Sequence, residues 1–407
     1  MEKRRILFLT TSYPSHENDP SSVFLAKLAT ALKKKGYSVL VLAPSDGTFF
    51  GRREVNGVQT VRFGYFWPRR VHRLTTGGGG IPENLSRSRL ARFQLIPMML
   101  VFLLRTLVEV RDSDLIYANW LGAGIIAAAA NLVTGTPMVV SFRGDDGYLA
   151  RDRPLWRFPA KWVLARASMI APVSNELADI FADLGVDRRK IRVPRFGVDT
   201  EMFFPNDDAR ESGDEVSVLF VGSLIPRKGL EDLLKAADHA DLANIRITVA
   251  GDGFLREQLH ESCARLGLTE RVEWKGLVTP VEVALMMRSS DILCVPSYME
   301  GTPNVAKEAM ASGIPVVATR VGGIPELVVE RETALLYDPG NIEQLRECLK
   351  RLAEDSDLRK NMGRAGYELL TQTNLTWDTT ADEFHEIFCD VLGRKPAPDQ
   401  TSSASKK

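Results

Sequence analysis

Short apolar runs rich in β-branched and aromatic residues alternate with helical stretches along almost the whole chain. In the first half the runs are Ile6–Thr11, Ser38–Ala43, Gln59–Phe63, Leu115–Asn119, Met138–Phe142 and Met169–Val173. Helical patterns follow them at Ser22–Lys35, Arg89–Val110, Gly124–Val133, Leu155–Ala167 and Glu176–Leu184. Such alternation builds parallel sheets that are covered by helices on both faces. It therefore predicts an α/β fold.

The alternation stops at a polar, acidic stretch from Asp199 to Glu215 and then starts again. The later strand patterns are Val216–Val221, Arg246–Ala250, Val272–Lys275, Ile292–Val295 and Pro315–Thr319. Because 407 residues exceed one ordinary core, we predict two Rossmann-like, doubly wound domains over 1–200 and 212–373, facing each other across a cleft. The Pro/Ser/Lys-rich segment 394–407 is expected to be disordered.

The charge is distributed unevenly. Residues 1–200 hold 29 Lys and Arg against 17 Asp and Glu, a net of +12, which the second half balances to zero. A basic first half indicates an anionic partner there, such as a phosphorylated acceptor or a membrane surface. The alternative is that the surface charge differs between the domains without any functional role. Arg92, Pro97 and Arg105 interrupt the apolar stretch Leu90–Val110, which is too short to span a bilayer comfortably. A core helix is the favoured interpretation, and a helix lying against a membrane is the alternative.

The four cysteines lie far apart in the sequence and form no CxxC pair. They are Cys263, Cys294, Cys348 and Cys389. Such spacing is typical of free thiols in a reducing compartment, and it favours neither disulfides nor a zinc site. A cytoplasmic protein is the expectation.

One segment, residues 296–315, follows the Ile292–Val295 strand and opens a helix. Thr302 suits the N-cap of that helix and Pro303 its first turn, so we predict a helix from about Thr302. Its free N–H groups would attract an anion such as phosphate. Glu300 precedes this helix and Glu308 lies two turns inside it. Because carboxylates would repel a phosphate, Glu300 and Glu308 are expected to face the hydroxyls of a sugar and a ribose. The alternative is that neither binds a ligand, one being a capping acid and the other a solvated acid on the helix.

A second segment, residues 221–230, also joins a strand to a helix. Gly222 allows close approach of a ligand to the backbone, and Arg227 and Lys228 place two cations at the turn. Charge-assisted contacts to phosphate are worth roughly 1.5–3 kcal/mol each. In a group transfer these cations would stabilise the charge of a departing diphosphate.

Together these segments resemble glycosyltransferase family 4, a retaining family with the GT-B fold. The resemblance covers about Arg5 to Leu392 and rests on the pair Glu300 and Glu308, and on Gly222-Ser223 followed by Arg227-Lys228-Gly229. Further family-like segments are Ala250-Gly251-Asp252-Gly253, Gly322-Gly323-Ile324-Pro325-Glu326, Val173-Ser174-Asn175 and Gly197-Val198-Asp199.

The resemblance implies a nucleotide-sugar donor bound by the C-terminal domain, with no resident cofactor or metal. Arg227 and Lys228 would bind its diphosphate, Glu308 its ribose, and Glu300 the transferred sugar. Backbone from Gly301 through Thr302 and Asn304 to Val305 would approach the diphosphate and sugar, while Gly276 and Val278 would lie near the nucleobase. Glu300, Arg227 and Lys228 are the catalytic candidates. The N-terminal domain would bind the acceptor, and the helix over 374–392 would cross back onto it.

The acceptor side departs from the family pattern. Where members often carry histidine, this chain has Asn119 after one strand and Arg143 after the next, followed by Asp145 and Asp146. Arg143 would either hold an acceptor phosphate or carboxylate, or pair with Asp145 or Asp146. Asn119, Arg143 and Asp145 are therefore the acceptor candidates. Gly122–Ala127 imitates a dinucleotide-binding fingerprint, but it follows a middle strand of the domain.

The expected function is hexosyl transfer from a nucleoside-diphosphate sugar to a saccharide or lipid-linked saccharide, in the synthesis of cell-surface polysaccharide. The expected location is the cytoplasm, with peripheral contact to the inner face of the membrane. A nucleotide-sugar epimerase of the same fold and a binding subunit that has lost catalysis remain as alternatives. Nothing indicates a nucleic acid partner.

Overall fold

The computed structural model describes residues 3–76, 80–205 and 215–393, apart from the side chains of Arg70, Pro82 and Asp145. Within these ranges thirteen strands form two sheets. The predicted α/β class and its two Rossmann-like halves are confirmed. The predicted tail, 394–407, lies outside the described residues, as does 206–214 of the predicted linker.

The first sheet has seven strands in the order β3-β4-β2-β1-β5-β6-β7. The strands are β1 (Arg5–Leu9), β2 (Ser38–Pro44), β3 (Gly51–Val55), β4 (Val58–Phe63), β5 (Leu115–Asn119), β6 (Met138–Ser141) and β7 (Met169–Ile170). Every pair is parallel except β3 with β4. The helices of this half are α1 (Val23–Lys34), α2 (Gly80–Arg87), α3 (Arg89–Glu109), α4 (Trp120–Thr134), α5 (Asp145–Asp152), α6 (Pro154–Arg166) and α7 (Asn175–Asp183).

The second sheet has six parallel strands in the order β10-β9-β8-β11-β12-β13. They are β8 (Val216–Val221), β9 (Ile245–Ala250), β10 (Val272–Gly276), β11 (Ile292–Val295), β12 (Val316–Thr319) and β13 (Ala334–Tyr337). The helices are α8 (Leu230–Ala237), α9 (Arg256–Arg265), α10 (Pro280–Ser289), α11 (Asn304–Ala311), α12 (Ile324–Leu327), α13 (Ile342–Glu354), α14 (Ser356–Gln372) and α15 (Trp377–Val391).

The last helix, α15, packs against α1 of the first half. Phe384 and Phe388 are buried in the core of the first sheet, where the Phe384 ring centroid lies 5.2 Å from that of Tyr117. Val198 pairs with Thr376 in a parallel bridge just before this helix. The chain therefore passes between the two halves twice, side by side.

The linker prediction is too long at its start. Asp199 forms an ion pair with Lys27, and Phe203 is buried against the core of the second sheet. These contacts order the first residues of a segment whose composition alone gave no sign of packing.

The favoured interpretation of Leu90–Val110 as a core helix is wrong for one of its faces. In α3 the inward face buries Ala91, Gln94, Met98, Phe102 and Thr106, whereas Phe93, Ile96, Leu100 and Leu104 face outward with exposed fractions of 58–70%. Because the helix is apolar on both faces, periodicity could not tell which one meets the sheet.

Candidate active site

The second sheet reverses its strand order between β8 and β11. Each strand added after β8 extends the sheet on one side until β11, which returns to pair with β8 on the other. Ligands of open α/β sheets bind in the crevice at the carboxyl ends of such a pair. Both segments singled out in the sequence, the one after Val221 and the one after Val295, begin at these two strand ends.

The centre of this crevice is an ion pair between the two segments. The Nζ atom of Lys228 lies 2.5 Å from Oε1 of Glu300, and the Ser297 hydroxyl donates to the same oxygen over 2.7 Å. Burial alone would raise the pKa of Glu300, but Lys228, Ser297 and the Arg227 guanidinium hold that pKa below its ordinary value. Glu300 is therefore a buried carboxylate that stays ionised because two cations surround it.

Backbone contacts pin the two segments together. The amide of Tyr298 donates to the carbonyl of Arg227 over 2.7 Å. Gly229, at φ +65°, lies so close to Pro296 that a Cβ atom there would overlap the Pro296 carbonyl oxygen. Gly222 follows β8 at the same edge, where its carbonyl packs against Gly251. Glycine is thus required where the two loops touch.

The helix after Glu300 starts later than the sequence predicted. Its first residue is Asn304, and Pro303 takes the N-cap position without a side-chain cap. The expected N-cap, Thr302, instead donates its hydroxyl to the carbonyl of Val173 in the first half, over 2.6 Å. The Thr302 hydroxyl therefore binds a residue 129 positions away and does not cap α11, so the N-cap prediction was wrong.

The loop from Glu300 to Thr302 also packs against the first half of the chain. The Tyr148 hydroxyl donates to the Glu300 carbonyl over 3.1 Å, and a Cβ atom at Gly301 would lie 2.6 Å from Cγ2 of Val173. The amide of Gly323 donates to the Gly301 carbonyl over 2.5 Å. This loop therefore sits at the junction of the two domains.

Helix α11 carries two titratable residues behind the loop. Burial raises the pKa of Glu308 to about 7, with the carboxylate of Asp199 adding to the effect. Its neighbour Lys307 is buried, and its ammonium donates to the carbonyl of Phe196 over 2.7 Å. Burial, aided by the charge of Arg143, lowers the pKa of Lys307 to about 7. Asn304 and Val305, in the first turn, are half-buried.

Lys307 and Glu326 were not among the residues selected from the sequence. Glu326 accepts the amide of Asn175 over 2.9 Å and that of Glu176 over 3.1 Å, at the start of α7 in the first domain. A lysine on the buried side of a short helix was the only signal for Lys307. Glu326 appeared in a family-like segment without an assigned role.

The two residues expected near a nucleobase lie at the far side of the crevice. Gly276 ends β10 at φ +68°, and its carbonyl accepts the amide of Gly251 over 2.7 Å. Val278 is half-buried against the core of the second sheet. They are thus separated from Lys228 and Glu300 by β9, at the same edge of the sheet.

The acceptor candidates Asn119 and Arg143 lie at the ends of two neighbouring strands of the first sheet. Asn119 is the last residue of β5, and Arg143 lies just beyond the end of β6. Asn119 pairs in register with Ser141, is fully buried, and has no hydrogen-bond partner for its amide within the described chain. The Arg143 guanidinium lies between the rings of Phe24 and Phe196, 3.7 and 4.0 Å from their centroids. Burial lowers the pKa of Arg143 to about 10.

Of the acids after Arg143, Asp146 binds backbone groups. Its carboxylate accepts the amides of Leu121, Arg143 and Gly147 over 2.9–3.2 Å, and so ties the loop after β6 to the start of α4. The side chain of Asp145 lies outside the described part of the structure. The imitation fingerprint Gly122–Ala127 lies inside α4, where Gly124 packs against Val163.

Two family profiles match the chain. Residues 205–369 match "Glycosyl transferases group 1" and residues 21–197 match "Glycosyl transferase 4-like domain". The chain belongs to the family 4-like glycosyltransferases. The resemblance seen in the sequence is thereby confirmed, and the glycosyltransferase profiles account for both halves of the fold.

Curated relatives of this glycosyltransferase span several activities. It is 29% identical over 285 residues to an uncharacterized glycosyltransferase of Methanocaldococcus jannaschii, covering 70% of this chain and 77% of that protein. It is 30% identical to the D-inositol 3-phosphate glycosyltransferase of Corynebacterium glutamicum, covering 56% of this chain but only 58% of that enzyme. The MMP alpha-(1->4)-mannosyltransferase of Mycolicibacterium hassiacum is 27% identical, with 70% and 72% covered.

Solved structures share the fold of this glycosyltransferase. Sucrose-phosphate synthase from Thermosynechococcus elongatus aligns with a TM-score of 0.81 at 21% identity, over 96% of this chain and all of that one. HepE of Anabaena, solved in complex with UDP-glucose, aligns with a TM-score of 0.74 at 19% identity, over 95% and 99%. Both neighbours have the GT-B architecture, so the predicted fold is confirmed.

Proposed function

We propose that this glycosyltransferase moves a hexosyl unit, with retention of configuration, from a nucleoside-diphosphate sugar to a saccharide or lipid-linked saccharide. The observation that carries the proposal is the Lys228–Glu300 pair at the strand reversal, beside the uncapped start of α11. The Lys228 ammonium contacts the loop that leads into α11, and the first N–H groups of α11 have no side-chain cap; a diphosphate would use both the cation and the backbone donors. The relative HepE was solved with UDP and UDP-glucose, which supports the donor class.

In the proposed donor complex the diphosphate lies between Arg227, Lys228 and the backbone from Gly301 to Val305. Gly222 would let the diphosphate approach β8 closely. Glu308 would accept ribose hydroxyls, and the base would reach toward Gly276 and Val278. Because Lys228 is already paired with Glu300, an incoming phosphate would share that ammonium with a carboxylate, and Glu300 would turn its free oxygen to the sugar.

The transfer step follows from this charge distribution. The bond between the anomeric carbon and the diphosphate oxygen breaks, and the acceptor oxygen bonds to that carbon on the same face. The acceptor proton passes to the departing phosphate oxygen, so no histidine base is needed. Arg227 and Lys228 stabilise the charge that develops on the diphosphate, in place of a resident metal or other cofactor. We further propose that the enzyme acts in polysaccharide assembly, in the cytoplasm and in peripheral contact with the membrane.

For the acceptor we propose a site at the carboxyl ends of β5 and β6. Arg143 supplies a buried positive charge, and its carbonyl lies against Gly301. Asn119 supplies a buried side-chain amide that has no hydrogen-bond partner among the residues the structure describes. An unpaired buried amide costs roughly 1–3 kcal/mol, which a ligand hydroxyl or anion would recover. Asp145, at the start of α5, is the third acceptor candidate. The inositol 3-phosphate enzymes among the relatives make a phosphorylated acceptor a reasonable first test.

A panel of UDP-, GDP- and ADP-sugars tests the donor side through ligand-linked thermal stabilisation. We expect one nucleotide class to raise the unfolding temperature of the wild type and of Lys235→Met equally, whereas Lys228→Met should need about tenfold more donor for the same rise. Lys235 is a matched control because it lies exposed on the adjacent helix, paired with Glu231. An equal rise for Lys228→Met and the wild type at the same donor concentration would contradict the proposed site.

Product analysis then separates the alternatives. A glycosyltransferase releases nucleoside diphosphate in proportion to the glycosylated acceptor, whereas an epimerase turns the donor over without acceptor. Donor binding without turnover under either condition would favour a binding subunit. Retention is checked by NMR of the new anomeric centre, where inversion would overturn that part of the proposal.

A further inference from the structure

The outward face of α3 is an apolar surface that nothing in the described chain covers. It consists of Phe93, Ile96, Leu100, Leu104 and Val108, joined at one end by Trp67, and we call it the α3 face. The exposed fractions of these side chains run from 57% for Val108 to 85% for Trp67. Phe66, next to Trp67, contacts Phe93 at 6.1 Å between ring centroids, so the surface is continuous there.

The spacing of these side chains makes the face a straight stripe. Residues 93, 96, 100, 104 and 108 follow one another at intervals of three or four, which places them on one side of a helix. At 1.5 Å per residue the stripe is about 22 Å long. Large apolar side chains exposed together in this way mark an interaction surface.

Cations border the α3 face, and the single acid of the helix, Glu109, is paired with Arg5 and Arg52 at its end. Residues 87–108 contain Arg87, Arg89, Arg92 and Arg105 but no Asp or Glu. Helix α6 contacts α4, which in turn contacts α3, so the three helices form one layer. Residues 153–166, which include α6, add four cations and again no acid, and expose Leu155 and Phe158 at 85% and 80%.

The inward face of α3 prevents the helix from leaving the fold. Arg89–Asp112 is long enough for a membrane span and contains a stretch of 18 residues with a mean hydropathy of 1.8. However, the Gln94 side chain accepts the amide of Arg73 over 2.9 Å and donates to the carbonyl of Val71 over 2.8 Å. Phe102 is buried against Phe63, 5.1 Å between ring centroids. A spanning orientation would break these contacts and bury arginines in the bilayer.

We propose that the α3 face docks the protein onto an anionic lipid bilayer, with α3 lying in the plane of the membrane surface. The apolar side chains would enter the interface while the bordering arginines meet anionic headgroups. Trp67 suits this position because indole rings favour the boundary between headgroups and acyl chains. A second copy of the chain fits less well, since pairing two such faces would bring like charges together. The inference rests on the proposed function in one respect only, namely that docking would bring the enzyme to a lipid-linked acceptor at the bilayer.

The experiment is co-sedimentation of the full chain with vesicles of phosphatidylcholine containing 30% phosphatidylglycerol, against pure phosphatidylcholine, at about 0.1 M salt. We expect binding to the anionic vesicles only. Ile96→Glu/Leu100→Glu should weaken it at least about tenfold, because the apolar insertion is lost. Each of Arg89→Gln and Arg105→Gln should weaken it about fivefold. Val281→Glu/Leu285→Glu is the matched control, because both residues are 54% exposed on α10 of the other domain.

The outcomes are distinguishable. Equal binding by the wild type and the α3 variants would overturn the inference. So would a concentration-dependent dimer in sedimentation velocity that Ile96→Glu/Leu100→Glu abolishes, because it assigns the face to a second copy. Donor-induced thermal stabilisation of the same variants reports folding and the donor site separately. Its absence in every protein would count against the proposed function and leave the vesicle result intact.

Discussion

The ammonium of Lys228 contacts the carboxylate of Glu300 at 2.5 Å, although 72 residues separate them in the chain. The pair is the point at which the loop after β8 meets the loop after β11. It keeps Glu300 ionised in a buried position, and it places a cation where a diphosphate would bind.

Replacing Lys228 by methionine removes the ammonium but keeps most of the aliphatic chain. We expect donor affinity to fall about tenfold or more, since a charge-assisted contact is worth roughly 1.5–3 kcal/mol. The turnover number should fall further, by about 10²–10³, because the cation acts mainly on the developing charge. Isothermal titration and initial rates measure the two effects. Comparable losses in Lys235→Met would show that the effect is not local.

A double-mutant cycle separates the ion pair from its members. In ligand-free protein, Lys228→Met leaves a buried carboxylate without its nearest cation, and we expect a loss of about 3–5 kcal/mol in the free energy of unfolding at pH 7. Adding Glu300→Gln should restore most of it, because the uncompensated charge is then gone. Urea denaturation provides the four values. If the two losses simply add, the pair does not interact as the distance implies.

The raised pKa of Glu308 predicts a pH dependence of stability. Because the folded state favours the neutral carboxyl, the stabilisation is complete below the unfolded pKa of about 4.5 and is lost as pH rises through about 7. The stability of the ligand-free wild type relative to Glu308→Gln should therefore decline across this window. The charge of Glu308 raises the pKa of its neighbour Lys307, so the comparison reports the titration of the two residues together. Glu332→Gln, at an exposed position, should show no such trend.

Gly301 has no room for a side chain. A Cβ atom there would lie 2.6 Å from Val173 Cγ2 and overlap the Arg143 carbonyl, so Gly301→Ala must shift the loop that carries Glu300. We expect a loss of transfer activity of tenfold or more, on the order seen when a catalytic group is displaced by about 1 Å. Gly122→Ala, inside α4 with only Thr11 Cγ2 near at 3.8 Å, should keep activity and gain about 0.5–1 kcal/mol. Full activity in Gly301→Ala would mean that the loop is free to move.

Several features of the fold could be predicted because they depend on local pattern. Leu115–Asn119 and Ile292–Val295 were predicted with the observed bounds, since a short, mainly apolar run that follows a polar residue is typical of a buried strand. Strand β3 was missed because Gly51 to Glu54 are exposed at an edge and carry no apolar signal. Helix α5 was missed because Asp145–Asp152 is polar and short.

The donor-site residues could be selected from the sequence because strand ends and helix starts concentrate polar groups at one edge of a sheet. Their partners could not. Three sets of hydrogen bonds cross between the two domains. They join Thr302 to Val173, Glu326 to the start of α7, and the buried Lys307 to Phe196. Local pattern contains no information about them, since they depend on how two separately folded surfaces meet.

By itself, the sequence determined the division into two α/β halves, most of their strands and helices, and the two loops that supply cations and carboxylates. Periodicity and turn chemistry act over a few residues, so they can be read directly from the chain. Only the tertiary structure decided that Lys228 meets Glu300, that the side-chain amide of Asn119 is buried without a hydrogen-bond partner among the described residues, and which face of α3 meets solvent. Those outcomes depend on how segments far apart in sequence pack together. The burial and the electrostatic surroundings of each side chain are then set by distant elements and not by its neighbours in the chain.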